Sequence, residues 1–82
     1  MNTVNKTATK IQVGDFVAII KGWDAKTYIL TSHNKVIASE FVEVLATTKC
    51  EINARHKNIR CANGETYNIW SDATRYVVKE GI

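Results

Sequence analysis

The sequence predicts an all-β domain, and three features carry that prediction. Short apolar runs of strand length recur along the chain, turns bearing glycine or asparagine separate them, and β-branched and aromatic residues crowd the runs themselves. With 82 residues, 45% of them hydrophobic and 23% charged, the chain has the composition of one small globular domain rather than of a disordered tract. The close spacing predicts about five to six short strands, wrapped as a small SH3-like barrel or a strongly bent antiparallel sheet. Proline is absent, so glycine, asparagine and aspartate must make the turns.

Residues 1–10 are polar and without periodicity, and read as a flexible N-terminal arm preceding a single β domain over 11–82. Val13-Gly14-Asp15 is a turn, and residues 16–20 form an apolar strand bounded by Lys21-Gly22. A loop over 22–26 leads to a strand over 27–31, rich in residues suited to a pleated surface. Residues 36–47 alternate imperfectly. Phe41, Val44 and Leu45 have helical spacing and Ser39 could cap a short helix over 39–46, but the β-branched residues near its middle favour a strand. Residues 49–53 and 58–62 then form a hairpin, and 66–70 and 74–78 are further strands.

The hairpin holds both cysteines and most of the unbalanced charge. Lys49, Arg55, Lys57 and Arg60 stand against Glu51 alone, a balance equal to the net +3 of the whole chain. Opposing Ile52 to Ile59 opposes Cys50 to Cys61 and Glu51 to Arg60, with residues 54–57 as the loop. In that register Cys50, Ile52, Ile59 and Cys61 face the core while Lys49, Glu51, Asn58 and Arg60 face out. Buried free thiols are favoured over a disulfide, and over zinc, which wants close pairs such as CxxC.

The plain reading of the cationic tip is a solvated turn. The sharper one is an anion site in which Arg55, His56 and Lys57 close over a phosphate and Lys49 and Arg60 extend the positive surface. Tyr67 would join Arg60 on the outer face if Asn63-Gly64 made a two-residue turn. That register sends Thr66 and Asn68 inward, so a bulge that takes Tyr67 to the core is slightly favoured. Trp23 is either a lid on the barrel or a ligand platform, and Trp70 is assigned to the core. Both faces of the last hairpin then want cover, which either self-association into a homodimer or larger homo-oligomer or the C-terminal strand Tyr76-Val77-Val78 folding across that face would supply.

Several classes are disfavoured. No GxSxG elbow or phosphate-cradling glycine loop occurs, Ser32-His33 has no evident orienting acid, and Asp15, Asp24 and Asp72 are scattered, so no enzyme, cofactor or metal is expected. No apolar run approaches the length of a bilayer, and the N-terminus lacks a signal-type apolar core, so a cytoplasmic location is expected. The leading expectation is a non-catalytic module that binds an anionic ligand, nucleic acid or a nucleotide messenger, through Lys49, Arg55, His56, Lys57, Arg60, Tyr67 and Trp23. The alternative is an inhibitor of a host protein acting through an apolar patch or sheet edge. A structural assembly component is a third reading.

From Val44 onward, the stretches Thr47-Thr48-Lys49-Cys50-Glu51-Ile52, Asn58-Ile59-Arg60-Cys61 and Asn63-Gly64-Glu65, together with the earlier Val13-Gly14-Asp15, resemble a group of small tailed-phage proteins. Members carry a threonine-lysine-threonine-polar-isoleucine strand, an aromatic-arginine-basic strand and an aspartate-glycine turn. Cys50 here replaces a threonine and Ile59 an aromatic residue, and the resemblance spans roughly half of the chain. It implies a compact β fold and a non-enzymatic accessory role during infection, including interference with host machinery or defence. It transfers no binding residue.

Overall fold

Alternating apolar and polar side chains along short segments have one stable outcome here, a sheet that curls over its own apolar face. The structure, a computed structural model, describes residues 3–33, 37–49, 51–52, 55–70 and 74–80. Among them lie β1 (Thr3–Thr7), a 3-10 turn (Ala8–Lys10), β2 (Phe16–Lys21), β3 (Thr27–Ile29), β4 (Glu40–Lys49), β5 (His56–Cys61), β6 (Thr66–Trp70) and β7 (Arg75–Lys79). They form one antiparallel sheet in the order β1-β7-β2-β4-β5-β6, with β3 joined to the far end of β2. The expected all-β class holds, with seven strands rather than five to six. The helix alternative over 39–46 gives way to β4, where Val42 and Val44 pack inward as β-branched strand residues do.

The core is the inner face of that sheet. Val17 and Ile19 meet Val42, Val44, Ile59, Cys61, Tyr67, Ile69, Tyr76 and Val78, and Ala8 and Ile11 close one end. The first and last strands of the order share no backbone pairing. Side chains bridge the curl instead: Lys57 Nζ donates to the carbonyls of Ala8 and Ile11, and the Thr27 and Tyr67 hydroxyls meet at 2.7 Å. A smaller apolar layer lies on the other side, where Ala18 and Leu30 are buried outside the main cluster and Lys79 Nζ sits 4.2 Å above the Phe41 ring.

The N-terminal segment departs from expectation. Residues 3–7, read as part of an arm, pair along their length with β7, from Thr3 opposite Lys79 to Thr7 opposite Arg75. Their polarity is that of an edge strand: Val4 packs on the core, and Lys6 turns in to bond buried Asp15 at 2.9 Å. Asp15 also accepts from the Gln12 amide at 3.0 Å. Burial works against the charge on Lys6, but its hydrogen bonds to Asp15 and Glu80 outweigh this and raise its pKa.

The β4 side of the β4–β5 ribbon lies earlier in the chain than the predicted 49–53. Thr47 opposes Ile59, Thr48 opposes Asn58 and Lys49 opposes Lys57, with a bulge between Val44 and Ala46. Relative to the expected pairing of Ile52 with Ile59, β4 has slipped by an odd number of residues, which exchanges its faces. Ile52 consequently lies beyond the strand and is 97% exposed. Ile59 and Cys61 face the core as expected, whereas Cys50 lies outside the described residues.

Candidate ligand-binding face

The turn from β5 to β6 decides which side chains share a face. The Cys61 amide donates to the Glu65 carbonyl at 2.9 Å, closing a three-residue loop of Ala62, Asn63 and Gly64. Gly64 adopts a φ of +86°, the left-handed conformation that such loops require at their last position. Compared with a two-residue turn the register moves by one, so Ile59 rather than Arg60 faces Tyr67. Tyr67 is therefore buried, and its hydroxyl accepts from Asn63 Nδ2 at 3.1 Å. Thr66, Asn68 and Trp70 alternate to the outside, which removes the difficulty of burying two polar side chains and takes Trp70 out of the core.

On that outer face His56, Asn58 and Arg60 of β5 lie beside Trp70, Asn68 and Thr66 of β6, each directly opposite its neighbour. The His56 and Trp70 rings stack with centroids 4.9 Å apart and planes 25° from parallel. Asn68 Nδ2 donates to Asn58 Oδ1 at 2.9 Å, which leaves Asn68 Oδ1 as the acceptor for His56 Nδ1–H at 2.6 Å. The chain of bonds fixes the imidazole against the indole. Trp70 remains 51% exposed, and its backbone amide is tied to the Tyr76 hydroxyl at 3.0 Å. Arg60, four residues from His56 on the same face, is exposed and has no acidic partner among the described residues.

The structure brings together only part of the expected set. His56 and Arg60 share this face. Lys57 points the other way: its ammonium is half-buried against the Ala8 and Ile11 carbonyls, and burial lowers its pKa although Asp15 partly compensates. Lys49, opposite Lys57, belongs to that same side and not to the side of Arg60. Arg55 is exposed in the turn before β5 and already has an interaction partner. Tyr67 is in the core. Trp23 is fully exposed, but on the β2–β3 turn, a different element. That turn is tightly held: Gly22 N donates to Lys26 O at 2.7 Å, and Asp24 accepts from Lys26 N and from the Tyr28 hydroxyl. The Tyr28 bond lowers the Asp24 pKa and raises that of Tyr28.

Trp70, Asn58 and Asn68 are the site residues that sequence reasoning missed. The available signal was the placing of Gly64 third in an Ala62-Asn63-Gly64 loop, which sets the outward phase of β6. Among the described residues no three His, Cys, Asp or Glu side chains gather as a metal site. No helix of the described residues is long and apolar enough to cross a membrane. No family model, curated protein or solved structure matches the chain.

Proposed function

We propose that this protein is a non-catalytic binding module that holds a phosphate-bearing ligand on the outer face of β4, β5 and β6. One observation carries the reading: the Arg60 guanidinium, unopposed by a carboxylate among the described residues, shares an open sheet face with a fixed His56–Trp70 ring stack. An arginine fork matches phosphate oxygens, and an exposed ring supplies a surface for a base. With Lys57 committed to the fold and Lys49 turned away, affinity at physiological salt belongs to the range of about 10⁻⁴–10⁻⁶ M expected of unspecific phosphate contacts. The resemblance to small phage proteins supports an accessory role during infection for such binding.

The test is equilibrium titration at low salt with ATP, a cyclic dinucleotide, tripolyphosphate and oligo(dT), followed by anisotropy or calorimetry. At least one of them binds, and Arg60→Ala weakens it and flattens its salt dependence. Binding by none, or binding that ignores Arg60→Ala, defeats the proposal.

A second reading, an inhibitor of a host protein, is favoured by a separate observation. Trp23 is fully exposed and Ile37 is 93% exposed. The Ser39 amide bonds Ile19 O and the Lys21 amide bonds Ser39 Oγ, so the segment carrying Ile37 runs beside the end of β2 from which the Trp23 turn emerges. An apolar contact there would be nearly indifferent to salt, which separates it from the leading reading.

A further inference from the structure

We infer that the ligand of the outer face is single-stranded nucleic acid, with an unpaired base stacked on the exposed side of the Trp70 indole and a nearby phosphate held by Arg60. The inference rests on the phosphate-binding reading above.

The ring surface exists before any ligand arrives. His56 backs the indole at 4.9 Å and is itself pinned through Asn68 to Asn58, so little side-chain freedom remains to be lost on binding. Trp70 is still about half exposed to solvent. A ring held in this way accepts the flat face of any base, because every base has one. A duplex covers those faces with neighbouring pairs, so the partner must present an unstacked base.

Spacing argues for a polymer. His56 and Arg60 are four residues apart along one strand face, on the order of 13 Å between their backbones. Between them lies Asn58, whose Oδ1 is taken by Asn68 while its Nδ2 has no partner among the described residues. That amide leaves donor hydrogens for a base or sugar oxygen midway along the path. Thr66 and Thr48, opposite Arg60 and Asn58 respectively, add exposed hydroxyls. Ring, amide, hydroxyls and guanidinium thus succeed one another along a line, which suits successive units of a strand better than one compact nucleotide.

The experiment uses the full chain carrying Trp23→Phe, so that Trp70 is the sole fluorophore of its kind. Dye-labelled oligo(dT) is titrated by anisotropy, with dTMP, tripolyphosphate and a DNA duplex as competitors. The inference expects oligo(dT) to quench Trp70 and to bind about tenfold or more tightly than dTMP or duplex. It expects Trp70→Ala to weaken binding about tenfold and Trp70→Phe to retain most of it. Arg60→Ala lowers the slope of log affinity against log salt by about 0.7. If Trp70→Ala unfolds the domain, Asn58→Ala and the Trp70→Phe comparison still report on the same path. Tripolyphosphate or dTMP binding as tightly as oligo(dT), or an unquenched Trp70 in the complex, overturns the inference while leaving the phosphate reading intact. Binding by none of the probes ends both.

Discussion

The Tyr67 hydroxyl lies 2.7 Å from the Thr27 hydroxyl, joining β6 to β3, two strands that share no backbone hydrogen bond. Asn63 Nδ2 donates to the same Tyr67 oxygen. Tyr67→Phe keeps the buried ring and removes only this bridge. It is expected to destabilise the fold by about 1 kcal/mol in urea denaturation, and Thr27→Val by a similar amount. The double variant should lose clearly less than the sum; strict additivity would mean that the two hydroxyls do not act as a pair.

Lys57 is expected to be a structural residue. Lys57→Met preserves the aliphatic stem and deletes the ammonium that serves the carbonyls of Ala8 and Ile11. A loss of about 2 kcal/mol follows from hydrogen bonds to a charged donor, with the affinity of the outer face unchanged. Equal stability of the variant and the parent in a denaturant midpoint would contradict this, as would a fall in ligand affinity.

Asp15 is 2% exposed and accepts from both Lys6 and the Gln12 amide. Asp15→Ala leaves a half-buried ammonium with only Glu80, at 3.3 Å, to answer it. About 3 kcal/mol of stability should disappear, at the lower end of the range for breaking a buried pair because that second carboxylate remains. Hydrogen exchange should then rise first in residues 3–11, where the edge strand and the 3-10 turn are anchored.

Burial pushes the Cys61 thiol from 9.0 up to about 11. A raised folded pKa means that stability is complete below pH 9, where the thiol is protonated folded or unfolded, and falls as pH climbs through 11, because the unfolded chain ionises first. The loss is at most about 2.7 kcal/mol, from two pH units at about 1.36 kcal/mol each. Lys6 adds in the same direction and Lys57 opposes it. Denaturation midpoints between pH 8 and 11 should decline less steeply in Cys61→Ala than in the parent, and native Cys61 should resist alkylation at pH 8.

Much of the fold could be read from the sequence because its strands are locally marked. Residues 66–70 coincide with β6 and 16–20 lie within β2, each bounded by glycine or by a turn, and Ile59 and Cys61 keep their inward phase. β1 was missed because an edge strand with a single apolar residue, Val4, has no period of its own; its partner β7 supplies the order. The candidate face was legible at Arg60, whose outward phase the structure keeps. It was misread at Lys49, Lys57 and Trp70, since the face of each depends on a bulge, a backbone acceptor or a turn length decided elsewhere in the chain. A lysine on the core face, as at Lys57, violates strand alternation until the carbonyls of a distant 3-10 turn are known.

The bulge beside Leu45 holds two surface patterns one step apart. Absorbing it into a regular ladder would bring Lys49 opposite His56 and roll its ammonium round to the side of Arg60, while Thr48 turned inward. Loss of the bulge without a change in chain length thus acts as a charge selector for the ribbon beyond it. Variants of the same length whose residues 44–46 pair regularly are expected to display a different electrostatic map on the same backbone path, and with it a different appetite for polyanions, whereas deleting Leu45 keeps Lys49 opposite Lys57.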